Sequence, residues 1–83
     1  MDETKNFQNL YQAAIGEQFL VKKVAIQGEL KRRLLDLGFV QNSVIEVLKA
    51  SPLGDPTSYR VAGTVIALRK EESQLIYGEV ISS

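Results

Sequence analysis

Eighty-three residues suit one domain, since autonomous domains run from about 50 to 250 residues, and no linker, repeat or low-complexity stretch divides the chain. Ten basic and ten acidic residues cancel, which removes the net attraction that nonspecific nucleic-acid binding relies on. The absence of cysteine and histidine excludes disulfides, thiolate nucleophiles and the commonest transition-metal ligand.

A chain this short buries roughly 60–65% of its unfolded surface, so its core is limited. Its apolar content of 45% and charged content of 24% are those of a globular protein and argue against disorder. Met1-Asp2-Glu3-Thr4 lacks the basic and apolar regions of a signal peptide, and no apolar run approaches the ~18 residues of a membrane span. The expected location is the cytoplasm, without membrane insertion.

Phe7, Leu10, Tyr11, Ala14 and Ile15 recur with the spacing of one helix face, which predicts a short first helix. Thr4 or Asn6 would cap its start and Gly16 would stop it. Residues 19–26 are rich in β-branched and aromatic side chains and predict the first strand, broken by Gln27-Gly28. Residues 29–37 return to helix spacing through Leu30, Leu34 and Leu37, with Glu29, Lys31 and Arg32 outward and Gly38 closing the helix. Lys22, Lys23, Lys31, Arg32 and Arg33 place five of the ten cations within this helix and the preceding strand; a solvated helix face plus a strand end accounts for them.

Residues 39–43 form a turn in which Asn42 takes positive φ, asparagine being the non-glycine residue most tolerant of it. Residues 44–50, 57–61 and 64–68 read as three further strands, with Gly63 marking a tight hairpin or bulge. Residues 69–73 are a charged connector of about one helical turn, and residues 75–81 a fifth strand with a bend at Gly78. Five short strands without βαβ alternation point to a mainly β fold, a small barrel or meander with one or two short α-helices.

Arg33-Leu34 followed by Leu37-Gly38, the β-run 44–48, Leu53-Gly54-Asp55-Pro56 and Ala67-Leu68-Arg69 together resemble the FeoA family. The upstream Leu10…Gly16 and the closing Leu75-Ile76…Val80 fit the same layout. The resemblance extends over about residues 8–81 of a single domain spanning residues 1–83. It implies an SH3-like barrel and a non-enzymatic accessory or regulatory role in bacterial ferrous iron transport. The partner it implies is FeoB, the membrane Fe²⁺ transporter with a cytoplasmic GTPase domain. A similar domain closes metal-dependent repressors of the diphtheria toxin repressor type, whose helix-turn-helix and dimerisation parts this chain has no room for. The family commonly has glycine where this chain has Asn42, an exchange the backbone requirement survives.

No residue constellation supports catalysis: the serines have no histidine as base, and no glycine-rich phosphate loop exists. Glu46, Asp55, Glu71, Glu72 and Glu79 offer only oxygen ligands, so any site for Fe²⁺ or another divalent cation would be weak and unselective, and no cofactor is expected. Turn chemistry accounts for Gly54, Asp55 and Pro56. Leu53, an apolar residue between two prolines, either packs on the barrel or stands out as a partner anchor. The expected partner-binding residues are Leu53, Gly54 and Asp55 with the basic helix residues Lys31 and Arg32. The alternatives are an SH3-like interaction module of another complex and a metal-sensing domain; dispersed aromatics and net neutrality count against them.

Without thiolate or imidazole ligands, folding should not depend on a metal. Chelator is expected to leave the thermal midpoint unchanged within error, and a chelator-induced unfolding transition would contradict this reading.

Overall fold

The structure, a computed structural model, describes residues 7–82. In chain order the elements are β1 (Gln8–Asn9), a 3₁₀ turn (Leu10–Gln12), β2 (Gln18–Val24), α1 (Glu29–Leu37), β3 (Val44–Ala50), β4 (Thr57–Val61), β5 (Thr64–Leu68), α2 (Lys70–Ser73) and β6 (Ile76–Ser82). The six strands form one antiparallel sheet in the order β1-β6-β2-β3-β4-β5, so the last strand returns between the first two.

Period-two alternation decides what the sheet encloses. Phe19 and Val21 of β2, Ile45 and Val47 of β3, and Tyr59 and Val61 of β4 all point inward and are buried. Leu10, Ile26, Leu34, Phe39, Leu68 and Ile76 complete the core from the connections and strand ends. Register shifts in β2 against β6, and between Val47 and Lys49 of β3 against β4, mark the irregularities at which a sheet of short strands bends around such a core.

Helix α1 has the predicted bounds. It buries Leu34 completely, packs the half-buried Leu30 and Leu37 against the core, and leaves Lys31, Arg32 and Arg33 exposed. Gly38 ends it at φ 112°, a conformation costly for residues with a Cβ. The Gly38 N–H donates to Leu35 O (3.1 Å) and the Phe39 N–H to Leu34 O (2.9 Å), the paired bonds of a Schellman motif. Leu34 and Phe39, which flank that motif, are both fully buried, so the helix stop and the core are one feature. Asn42 follows at φ 75° as expected, its N–H donating to Val21 O at 2.7 Å and its Oδ1 accepting from Lys22 Nζ at 3.3 Å. Ala62 (φ 51°) and Gly63 (φ 79°) make the two-residue turn between β4 and β5, both central residues left-handed as a type I′ hairpin requires.

The expected first helix is not formed, and a sixth strand takes part of its place. Gln8 and Asn9 pair with Gly78 and Tyr77 of β6, and only one 3₁₀ turn follows. Asn9 Oδ1 accepts from Gln12 N–H (3.2 Å) and Gln12 Oε1 from Asn9 N–H (3.0 Å), a reciprocal cap that closes around this turn. Leu10 is fully buried while Ile15 is exposed, so the apparent apolar stripe does not face one surface. The pairing energy offered by β6 outweighs a helix too short to be stable alone. The caps expected at Thr4 and Asn6 lie outside the described residues. The strand expected first, which is β2, ends at Val24, two residues before the expected Ile26, although Ile26 itself is buried.

Leu34→Ala should cost about 2–5 kcal/mol, as expected where a fully buried leucine leaves a cavity. Lys31→Ala should change stability by less than about 0.5 kcal/mol. Denaturant unfolding checks both, and equal losses would mean that α1 presents a different face.

Candidate functional site

The loop between β3 and β4 is built around Ser51. Its N–H donates to Pro56 O (3.0 Å), and its carbonyl accepts from Gly54 N–H (2.8 Å). Its Oγ donates to Asp55 O (2.8 Å) and accepts from Asp55 N–H (3.1 Å). The Asp55–Pro56 peptide is cis. Four bonds from one serine thus tie both ends of a six-residue loop together, and the apolar tip is carried outward: Leu53 is 94% exposed.

The same loop is attached to the next helix. Asp55 Oδ1 accepts from the Lys70 N–H at 2.9 Å, so a carboxylate fifteen residues upstream satisfies a free N–H of α2. Glu72 Oε1 accepts from the Arg69 N–H at 2.8 Å, and buried Ser73 donates back to carbonyls of Arg69 and Lys70. On its other side α2 meets the 3₁₀ turn, with Lys70 Nζ 5.4 Å from the Tyr11 ring centroid, within cation–π range. Beneath lies Tyr59, 1% exposed; burial pushes its phenol pKa up, and the neighbouring Ser73 and Thr57 side chains pull it partly back.

Of the five residues expected at a partner surface, Leu53, Gly54 and Asp55 share this loop. Leu53 resolves to the exposed alternative, Gly54 (φ 85°) forms the turn beside it, and Asp55 has one carboxylate oxygen committed to α2. Lys31 and Arg32 are exposed but belong to a different surface. The loop precedes Thr57, whereas α1 ends beside the opposite end of β4, where a Cβ on Gly38 would lie 3.0 Å from the Ala62 Cβ. Arg32 lines a shallow hollow with Glu29, Arg33, Asp36 and Leu37, all on α1 itself.

The carboxylates considered as ligands are spread over the surface. Glu46 faces Arg60 across β3 and β4 at 3.0 Å, an exposed pair worth about 0.2–1 kcal/mol. Among the described residues no three acidic side chains cluster as a metal site would require. Nor does any helix there have the length and apolarity to cross a membrane. Sequence reasoning missed Ser51, whose signal was a hydroxyl at the start of the Pro52–Pro56 loop, a side chain that readily bonds nearby backbone groups. It also missed the contact of Tyr11 with Lys70, which no local pattern announces.

The FeoA domain model matches residues 8–80. The chain belongs to the FeoA domain family. A curated relative from Porphyromonas gingivalis, the Fe(2+) transport protein A/Fe(2+) transporter FeoB fusion protein, is 37% identical over 68 residues, covering 82% of this chain. This chain spans only 8% of that relative's length. The solution structure of iron(II) transport protein A from Clostridium thermocellum superposes with a TM-score of 0.82 at 35% identity, over 89% of this chain and 46% of that one. The zinc complex of Stenotrophomonas maltophilia FeoA gives 0.75 at 25% identity, over 86% of this chain and 88% of that one; it is described as a procaryotic SH3 domain protein and suggested as a ferrous iron transport activating factor. The FeoA domain here accordingly has an SH3-like fold of six strands with two short helices. A manganese-dependent transcriptional repressor shares this fold alone, at 16% identity and a TM-score of 0.80, over 95% of this chain and 44% of that one.

Asp55→Ala should destabilise the FeoA domain by about 1 kcal/mol, the usual cost of losing a helix cap, and hasten exchange of the Lys70 amide. Asp55→Asn retains the acceptor and should lose less. Unchanged Lys70 exchange in Asp55→Ala would show that the cap does not hold α2.

Proposed function

We propose that this chain is a non-enzymatic accessory module of ferrous iron uptake, residues 1–83 forming one unit that docks on the cytoplasmic part of a FeoB-type transporter. The observation that carries this reading is the relative in which the corresponding domain and FeoB are one polypeptide. Covalent linkage supplies a high effective concentration, which is useful when two modules work in contact. Contact of this kind requires a surface on the domain with affinity for the transporter.

Leu53 fits that requirement. It is nearly fully exposed, it sits on a loop held by Ser51 and Asp55, and its removal from water would be favourable by about 2 kcal/mol. A side chain held on an ordered loop loses less freedom on docking than one on a flexible loop, so few contacts suffice. Gly54 shapes the tip, Asp55 anchors it, and Lys31 and Arg32 provide a separate basic surface acting through screened electrostatics. Among the described residues the carboxylates do not gather as a metal site would require, and iron enters this reading as the transporter's cargo. The metal-sensing alternative rests on likeness of fold, which does not carry function.

Leu53→Asp should weaken binding to the purified cytoplasmic part of the transporter by about tenfold or more, while circular dichroism and the thermal midpoint stay native. Arg32→Glu should have a smaller effect that fades as salt rises. Native binding by folded Leu53→Asp would remove this loop from the interface.

A further inference from the structure

The two ends of the sheet are protected very differently. At one end β1 is only two residues long and gives way at once to the 3₁₀ turn, so it offers almost no edge. At the other end β5 runs for five residues, Thr64-Val65-Ile66-Ala67-Leu68, with no charge and no proline. Its pairing with β4 is in continuous register from Val61↔Thr64 to Thr57↔Leu68, without the shifts that interrupt β2 and β3. Edge strands usually carry lysine, proline, a bulge or a covering element that discourages pairing. Among the described residues β5 has no strand on its outer side, and it carries no lysine, no proline and no bulge.

Hairpin geometry identifies the open groups. The two-residue turn at Ala62-Gly63 makes Val61 and Thr64 a hydrogen-bonded pair, and alternation then places Tyr59–Ile66 and Thr57–Leu68 in the same class. The N–H and C=O groups of Val65 and Ala67 therefore point away from β4, and neither residue makes a backbone hydrogen bond outside the strand ladder. Val65 is 57% exposed and Ala67 is exposed beside it.

We infer that β5 is a self-association edge, on which a second copy of this chain adds its own β5 antiparallel about a two-fold axis at Ile66. In that register Val65 exchanges both backbone hydrogen bonds with Ala67 of the second copy, and the same pair recurs by symmetry. Ile66 faces Ile66 of the second copy as a non-hydrogen-bonded pair. The choice of a second copy follows from charge and size. An uncharged strand meets itself without like-charge repulsion, and the large Val65 lies against the small Ala67. Arg69, the nearest charge on the strand's own connection, lies opposite Gly63 of the second copy, so the two arginines stand at opposite ends of the joint. Such an interface continues the sheet from one molecule into the next. A strand pair of this length falls well short of the roughly 1,200 Å² buried by stable complexes, so the dimer is a weak one that forms at high concentration.

Sedimentation equilibrium from about 10 µM to about 1 mM, with hydrogen exchange across the same range, tests this directly. The expected result is a monomer–dimer equilibrium in which the Val65 and Ala67 amides gain protection with concentration, while the Ile66 amide is protected throughout. Val65→Lys and Ala67→Lys, each at an exposed position, should stay folded and weaken association by about tenfold or more. A monomer at every concentration would overturn the inference, as would concentration-independent exchange of Val65 and Ala67. A dimer undiminished in both lysine variants would overturn it too, by placing the contact elsewhere.

Discussion

The close approach of β6 to β2 at Gly78 is the constraint on which the rest of the fold depends. A Cβ at this position would lie 1.9 Å from the Leu20 carbonyl oxygen and 2.9 Å from the Phe19 ring. No side chain fits there, and glycine is what permits the contact. Gly78 also pairs with Val21 on one side and with Gln8 on the other, so a single residue joins three strands. Phe19 and Val21, flanking the contact, are both completely buried, and through them the approach of two backbones becomes the packing of the core.

Closure is completed on the far side by side chains. The Asp55 carboxylate on the Lys70 N–H fastens the β3–β4 loop to α2, and Lys70 in turn lies over Tyr11 of the 3₁₀ turn that follows β1. The loop that presents Leu53 is thus fixed by the same contacts that bring the ends of the sheet together. This coupling gives the exposed leucine a defined position, as the proposed docking role requires. It also assigns different work to neighbours that look alike in sequence: Asp55 holds, Gly54 turns and Leu53 projects.

Much of this was legible in the sequence where local chemistry and tertiary burial agree. Leu30, Leu34 and Leu37 repeat at helix spacing and Gly38 follows them, so α1 was readable to the residue. Strands β3, β4 and β5 alternate or run apolar between clear turn residues, and their bounds came out as expected. Asn42 revealed its positive φ because few other residues accept it. The N-terminal segment misled because Leu10, Ala14 and Ile15 mimic a helix face, whereas the decisive partner, β6, lies nearly seventy residues away. Of the candidate site, the identity of the loop was visible but the state of Leu53 was not. Exposure of one side chain depends on the hydroxyl of Ser51 and on a helix that begins fifteen residues after Asp55, and neither leaves a periodic trace.

The central claim is that a rigid SH3-like scaffold presents the Leu53 tip to a transporter. Backbone resonances of the isotopically labelled chain, followed while the unlabelled cytoplasmic part of a FeoB-type transporter is added, test it most directly. The account predicts that the largest shifts fall on residues 51–55 and on Lys70, which Asp55 links to the loop, with the strand core unmoved. Shifts confined to β1 and β6, or none at saturating partner, would contradict it.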